Sequence, residues 1–252
     1  MCYDCFSKHI YFGGVNMEIT LKITKKHLLF FTIIVAAIII VAIVSVVILS
    51  SNSETSSPKK ISEGLEYEFY SSYNGYAVSG IGTCTDRNIV IPEEYNNYPV
   101  VLIDSEAFRE CETIDSVYMP DSITGIGKWA FIRCINLTEI RFSENLEGIG
   151  ESAFWECIKL KEICIPDKCT SIQNGAFSYC SDLNRVEFSK GIKQIGMEIF
   201  YQSKNVEIYY SGTIYDWWSI DIQEDPYGYI YQKRIINVHL NDNTTLEWKV
   251  RN

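Results

Sequence analysis

Few residues in this chain have the type and spacing to do chemistry. Its three histidines, His9, His27 and His239, all fall outside residues 67–206, so that stretch offers no Ser-His or Cys-His nucleophile pair. Cys2-x-x-Cys5 is half of a zinc knuckle, with His9 as the one candidate third ligand and no second pair to complete a tetrahedral set. Asn241-Asp242-Asn243 has too few oxygen ligands for a calcium loop. Glu139 and Glu162 could be paired as acid and base, but nothing in the sequence sets them in a pocket, and they read as solvated surface. Gly125-Ile126-Gly127 and Gly148-Ile149-Gly150 recur as turn glycines and form no phosphate loop. The expectation is a protein without catalytic residues, metal or cofactor, and without a small-molecule substrate.

The elements that hold these residues are set by a period of 23. Phe108, Phe131, Phe154, Phe177 and Phe200 mark it, with Cys111, Cys134, Cys157 and Cys180 three positions later. Further apolar columns keep step: Ile103, Ile126, Ile149, Ile172 and Ile195; Ala107, Ala130, Ala153 and Ala176; Leu137, Leu160 and Leu183. Such a period with stacked apolar columns is the mark of a leucine-rich-repeat solenoid, in which a single coil cannot bury its own core and stability comes from stacking. Val117–Met119, Ile140–Phe142, Ile163–Ile165 and Val186–Phe188 alternate apolar and polar as half-buried strands do. With further strands at Ile89–Ile91 and near Ile208–Tyr210, the predicted fold is an α/β-type repeat solenoid with one parallel sheet and about six coils. The Ala-Phe segment is predicted to form a short helical or 3₁₀ turn on the opposite wall. The cysteine column reads as small apolar filler, and Cys164, alternating with Ile163 and Ile165, as an exposed thiol.

The runs Ile126–Phe142, Ile149–Pro166 and Tyr76–Pro92, with their fourfold Ala-Phe-x-x-Cys spacing, resemble the BspA-like leucine-rich repeat of surface and secreted proteins. The resemblance covers about residues 67–220. It extends to Gly212–Ile220, which is similar to the Gly-Thr-x-x-x-Trp-x-x-Ile element that often follows the last repeat, with Trp217 at the Trp position. Trp217, Trp218 and the Tyr-rich tail then form an aromatic cap. The fifth coil departs from the pattern, with Ile199 and Ser203 in place of Ala and Cys. The resemblance implies adhesion.

Leu28–Leu49 is an uncharged apolar run of 22 residues, interrupted only by Thr32 and Ser45. It is long enough to cross a bilayer and longer than a signal-peptide core, so it reads as one uncleaved transmembrane helix. Lys22, Lys25 and Lys26 precede it closely, whereas Lys59 and Lys60 follow at a distance, which places the N-terminus inside and the repeats outside. Met17 is an alternative start. The expected organisation is a cytoplasmic segment 1–27, the helix 28–49, a flexible stalk 50–66, repeats 67–206 and an aromatic-rich cap 207–252. Residues 61–252 carry sixteen Lys/Arg against twenty-nine Asp/Glu, and a net −13 excludes nucleic acid as a natural partner.

What remains is the exposed sheet face. Alternation exposes Tyr118 and Arg141, types that often anchor interfaces, and Glu139, Glu162, Arg185 and Glu187 around them. A second aromatic surface lies around Tyr209, Tyr210, Trp218, Tyr227, Tyr229 and Tyr231. The predicted function is a membrane-anchored surface protein that binds an extracellular protein or glycan without catalysis. The alternative is the outer sensor domain of a single-pass signalling partner.

Overall fold

The computed structural model describes residues 5–12, 15–22, 60–223 and 233–251. Two compact units divide at Lys59/Lys60. The apolar run Leu28–Leu49 and most of the stalk lie outside the described residues. Among those described, no helix is long and apolar enough to cross a membrane. In the first unit, β1 (Cys5–Phe12) pairs antiparallel with β2 (Val15–Lys22), from Cys5 opposite Lys22 to Phe12 opposite Val15. This hairpin falls within the stretch 1–27, read from sequence only as a short cytoplasmic segment.

The second unit is a solenoid with two parallel sheets, where the sequence suggested one. The front sheet contains β5 (Asn88–Val90), β8 (Ser116–Tyr118) and β10 (Glu139–Arg141), then β12 (Glu162–Cys164), β14 (Arg185–Phe188) and β16 (Glu207–Tyr210). These six strands give the six coils expected. The ladder is interrupted between β10 and β12, so the front consists of two hydrogen-bonded blocks. After β16 it continues into β18 (Lys233–Leu240), parallel, which turns back antiparallel as β19 (Thr245–Arg251).

The back sheet runs through β4 (Gly75–Gly80), β7 (Tyr98–Ile103), β9 (Gly125–Ile126), β11 (Gly148–Ile149), β13 (Ser171–Ile172), β15 (Gln194–Ile195) and β17 (Asp221–Ile222). Its two-residue strands are the Gly-Ile pairs and their equivalents, read from sequence as turns. They are too short to show alternation, and only pairing with the neighbouring coil makes them strands.

The third wall holds no helix. Its turns are bonded in two directions at once: the amides of Glu106, Phe108 and Glu110 donate to Lys128, Ala130 and Ile132 of the next coil, while those of Ala107, Arg109 and Cys111 close turns within their own. Two residues per coil take left-handed angles to achieve this, as at Trp129 and Arg133 or Ser152 and Glu156, and only Gly175 among them is glycine. The strain of about 1 kcal/mol per non-glycine residue is offset by the coil-to-coil bonds, which an α-helical turn would have used internally.

Behind this wall the phenyl rings of Phe108, Phe131, Phe154 and Phe177 form a stack with centroids 4.9, 5.1 and 5.3 Å apart. The cysteine column is more than filler. Cys134, Cys157 and Cys180 donate their thiols to the carbonyls of Phe108, Phe131 and Phe154 at 3.0, 3.2 and 3.2 Å. In the fifth coil Ser203 donates to Phe177 at 2.9 Å, which explains how Ser stands in for Cys there. Burial pushes these thiols up, that of Cys180 to about 12, and the seven cysteines of residues 60–223 are all unbridged.

Aromatic side chains close both ends. At the start, Tyr67, on a hairpin of β3 (Glu66–Tyr70) and β4, stacks on Tyr95 of the short strand β6 (Glu94–Tyr95), with centroids 4.0 Å apart. At the far end the short helix α1 (Ile214–Trp218) is capped by Thr213 and Asp216, which exchange hydrogen bonds at 2.8 and 3.3 Å. It buries Trp217 against Tyr210 and Trp248 at 5.3 and 5.7 Å. Trp218, expected in this cap, is instead 66% exposed, because a five-residue helix turns only one face inward.

Candidate binding face

The front strands are three or four residues long and bury their central apolar residue: Val117, Ile140, Ile163, Val186 and Ile208. Their flanking residues therefore face outward, and the parallel register aligns them from coil to coil. Ser116 pairs with Glu139 and Tyr118 with Arg141; Glu162 pairs with Arg185, and Cys164 with Glu187. All six site residues named from sequence lie on this one face. They belong to two groups, separated by the interruption between β10 and β12.

In the first group, the Arg141 guanidinium sits 4.8 Å from the Tyr118 ring centre. The second is larger and ends in residues that the sequence did not join to it. Arg185 donates from Nε and Nη2 to Glu187 Oε1 at 3.0 and 2.8 Å, and lies 3.7 Å over the Tyr209 ring. Those bonds to Glu187 raise the basicity of the guanidinium still further. The Tyr209 hydroxyl donates to Glu207 at 3.2 Å, and His239 stacks on its other side, ring centres 4.8 Å apart. His239 Nε2 is 3.6 Å from Glu207, and Nδ1 is 3.2 Å from the Thr245 hydroxyl.

The histidine set aside as remote from the repeats is thus in register with Tyr209 across β16 and β18. It was missed because β18 follows 30 residues after β16, off the 23-residue period. The alternation of buried Ile236, Val238 and Leu240 with Asn237 and His239 was the available signal. Tyr209 is part of this front face, while Tyr210, named with it as a surface residue, points inward and is 2% exposed. Tyr227, Tyr229 and Tyr231 lie outside the described residues.

Two adjoining grooves run over the face. One, of about 610 Å³, lies above the interruption and is lined by Glu139, Arg141, Lys161 and Glu162 among others. The other, of about 760 Å³, is bounded by Tyr209, His239 and the hairpin residues Asn241, Asn243, Thr244 and Thr245. They share Glu144, Cys164, Pro166, Arg185 and Glu187. Cys164 is exposed, as expected. Its thiol is pushed up by partial burial and then by the charge of Glu187. Among the described residues no three His, Cys, Asp or Glu side chains gather as a metal-binding group.

A parallel solenoid with an open, polar and aromatic strand face is a repeat scaffold that presents an extended surface. The sequence profile of the BspA type leucine-rich repeat region matches residues 101–217 in six copies, so this part of the chain is a repeat region of that type. A leucine-rich cell surface protein from Faecalibacterium prausnitzii is 32% identical over 65% of this chain, with a TM-score of 0.58; the match spans only 42% of that protein's length. The T. pallidum leucine-rich repeat protein TpLRR is 26% identical over 61% of this chain and 70% of its own, with a TM-score of 0.56. A leucine-rich repeat protein from Bacteroides capillosus is 30% identical over 49% of this chain and 92% of its own, with a TM-score of 0.46. No curated protein sequence matches.

Proposed function

We propose that this chain is a membrane-anchored surface protein whose outward-facing solenoid binds a protein or glycan ligand through its front sheet, without catalysis. The observation that carries the reading is the placement of Tyr118, Arg141, Arg185, Tyr209 and His239 along one continuous grooved face. Aromatic and arginine side chains held in place by one another lose little conformational freedom when a ligand arrives. The description of the Faecalibacterium relative as a cell surface protein supports the location, as does the apolar run Leu28–Leu49.

Changing Tyr118 and Arg141 together to Ala is expected to weaken binding at least tenfold. The full chain would be tested against purified extracellular-matrix proteins and a glycan array, with an unchanged melting midpoint as the folding control. Unchanged binding would move the site off this face.

Location is tested through the thiols. A membrane-impermeant maleimide added to intact cells at pH 8 is expected to label Cys164 first, with Cys84 and Cys111 slower. Cys134, Cys157, Cys169 and Cys180 are buried and should react only after unfolding. Labelling of Cys164 only after lysis would place the solenoid inside.

A further inference from the structure

We propose that the front groove receives a Lys/Arg-rich extended segment of a partner protein. This rests on the front-face reading above and names the partner's chemistry.

The argument begins with where charge is left uncompensated. On the turn wall, carboxylates and cations neutralise one another: Arg133 bridges Glu110 and Glu156 at 3.1 and 3.4 Å, Lys128 meets Glu151 at 2.8 Å, and Arg109 meets Glu106 at 2.8 Å. The groove is different. Glu139, Glu144, Glu162 and Asp167 line it, all exposed, and no ion pair engages any of them among the described residues.

The groove's own arginines do not answer these charges. Arg141 is held over Tyr118, and Arg185 is held by Glu187 and Tyr209. Among the described residues, Arg141 and Lys161 are then the lining cations without a carboxylate partner, two against the four free carboxylates. The groove therefore keeps a net negative charge where the surface is concave, the shape in which a field acts most strongly on an approaching ion.

Spacing adds to this. Glu139 and Glu162 occupy one repeat position in successive coils, and Glu144 and Asp167 another. Glu139 and Glu162 both line the groove above the interruption, and Glu144 and Asp167 both line the adjoining one, so each pair offers two carboxylates to one cleft. Two rows running along the solenoid axis suit a segment carrying at least two basic side chains. Anionic partners are disfavoured by the same charges.

The test is fluorescence anisotropy on the full chain in neutral detergent. The probes are a labelled (Arg-Ser)₄ peptide, a (Gln-Ser)₄ reference and an acidic (Glu-Ser)₄ control. The arginine peptide is expected to bind at least tenfold more tightly than the reference and to weaken as salt rises. Glu139→Gln with Glu162→Gln should reduce its affinity about tenfold. Glu151→Gln with Glu156→Gln, the same change of charge on the turn wall, should leave it within twofold.

Equal losses in both variants would reduce the effect to bulk charge and overturn the proposal, as would binding no tighter than the neutral reference. If the peptide fails while Tyr118→Ala with Arg141→Ala still abolishes capture of a matrix protein or glycan, the basic partner is excluded and the front face stands. If neither variant pair affects any ligand, both readings fall.

Discussion

Phe154→Asp is expected to abolish folding of the solenoid. The ring is fully buried, stacked 5.1 Å from Phe131 and 5.3 Å from Phe177, with the edge of Phe142 at 5.8 Å. Truncating a buried Phe to Ala costs about 3–5 kcal/mol through lost burial and the cavity left behind. Aspartate adds a carboxyl group with no hydrogen-bond donor to receive it, a further cost of several kcal/mol even if it takes up a proton. The sum rivals the roughly 5–15 kcal/mol by which a domain is stable. Because each coil is supported only by its neighbours, loss at the centre separates the two halves of the stack. Far-ultraviolet circular dichroism of the full chain should show no cooperative melt of the solenoid, whereas Phe154→Leu should keep one at a lower midpoint. A soluble Phe154→Asp protein melting with the parent would refute this account.

Gly150→Ala is expected to cost about 3 kcal/mol, a loss of roughly 6–12 °C in melting midpoint for a domain of this size. A Cβ at Gly150 would come within 2.6 Å of the Gly127 carbonyl carbon and 2.7 Å of the Lys128 nitrogen. Both are backbone atoms and cannot swing away. Relief requires the coils to separate, which stretches the 2.9 Å bond from the Gly150 amide to the Ile126 carbonyl. The informative comparison is one coil further on. There the equivalent position is Gln173, whose side chain is exposed, and Gln173→Ala should change stability by no more than about 0.5 kcal/mol. Denaturant titration of the two variants distinguishes steric contact between coils from a general effect of the repeat position; equal stabilities would eliminate the steric explanation.

These glycines also show where sequence reading stopped. Gly125, Gly127, Gly148 and Gly150 flank isoleucines and look like turn punctuation. In the structure the Gly-Ile pairs are strands of the back sheet, and Gly127 and Gly150 allow one backbone to lie against the next. The left-handed residues of the turn wall were illegible for a related reason. Glu106, Trp129, Arg133 and Glu156 carry no local signal for that conformation, which is imposed by bonds to the adjacent coil. The thiols of Cys134, Cys157 and Cys180 were legible as buried, but not as a row of donors to the phenylalanine carbonyls, and Cys111, in the first coil of the column, is only partly buried because no earlier coil covers it with a matching turn.

The sequence by itself determined the period, the inward columns, the six coils and the outward positions of Tyr118, Glu139, Arg141, Glu162, Arg185 and Glu187. All of these follow from hydrophobic periodicity, which repeats in the chain just as burial repeats in the stack. Only the tertiary structure decided that a second sheet exists, that the front sheet is interrupted beneath one groove, and that His239 joins Tyr209 and Arg185. Those features arise from hydrogen bonds and ring contacts between residues 23 to 54 positions apart. Such pairings leave little trace in the local pattern, because each partner could be exchanged without disturbing its own neighbours in sequence.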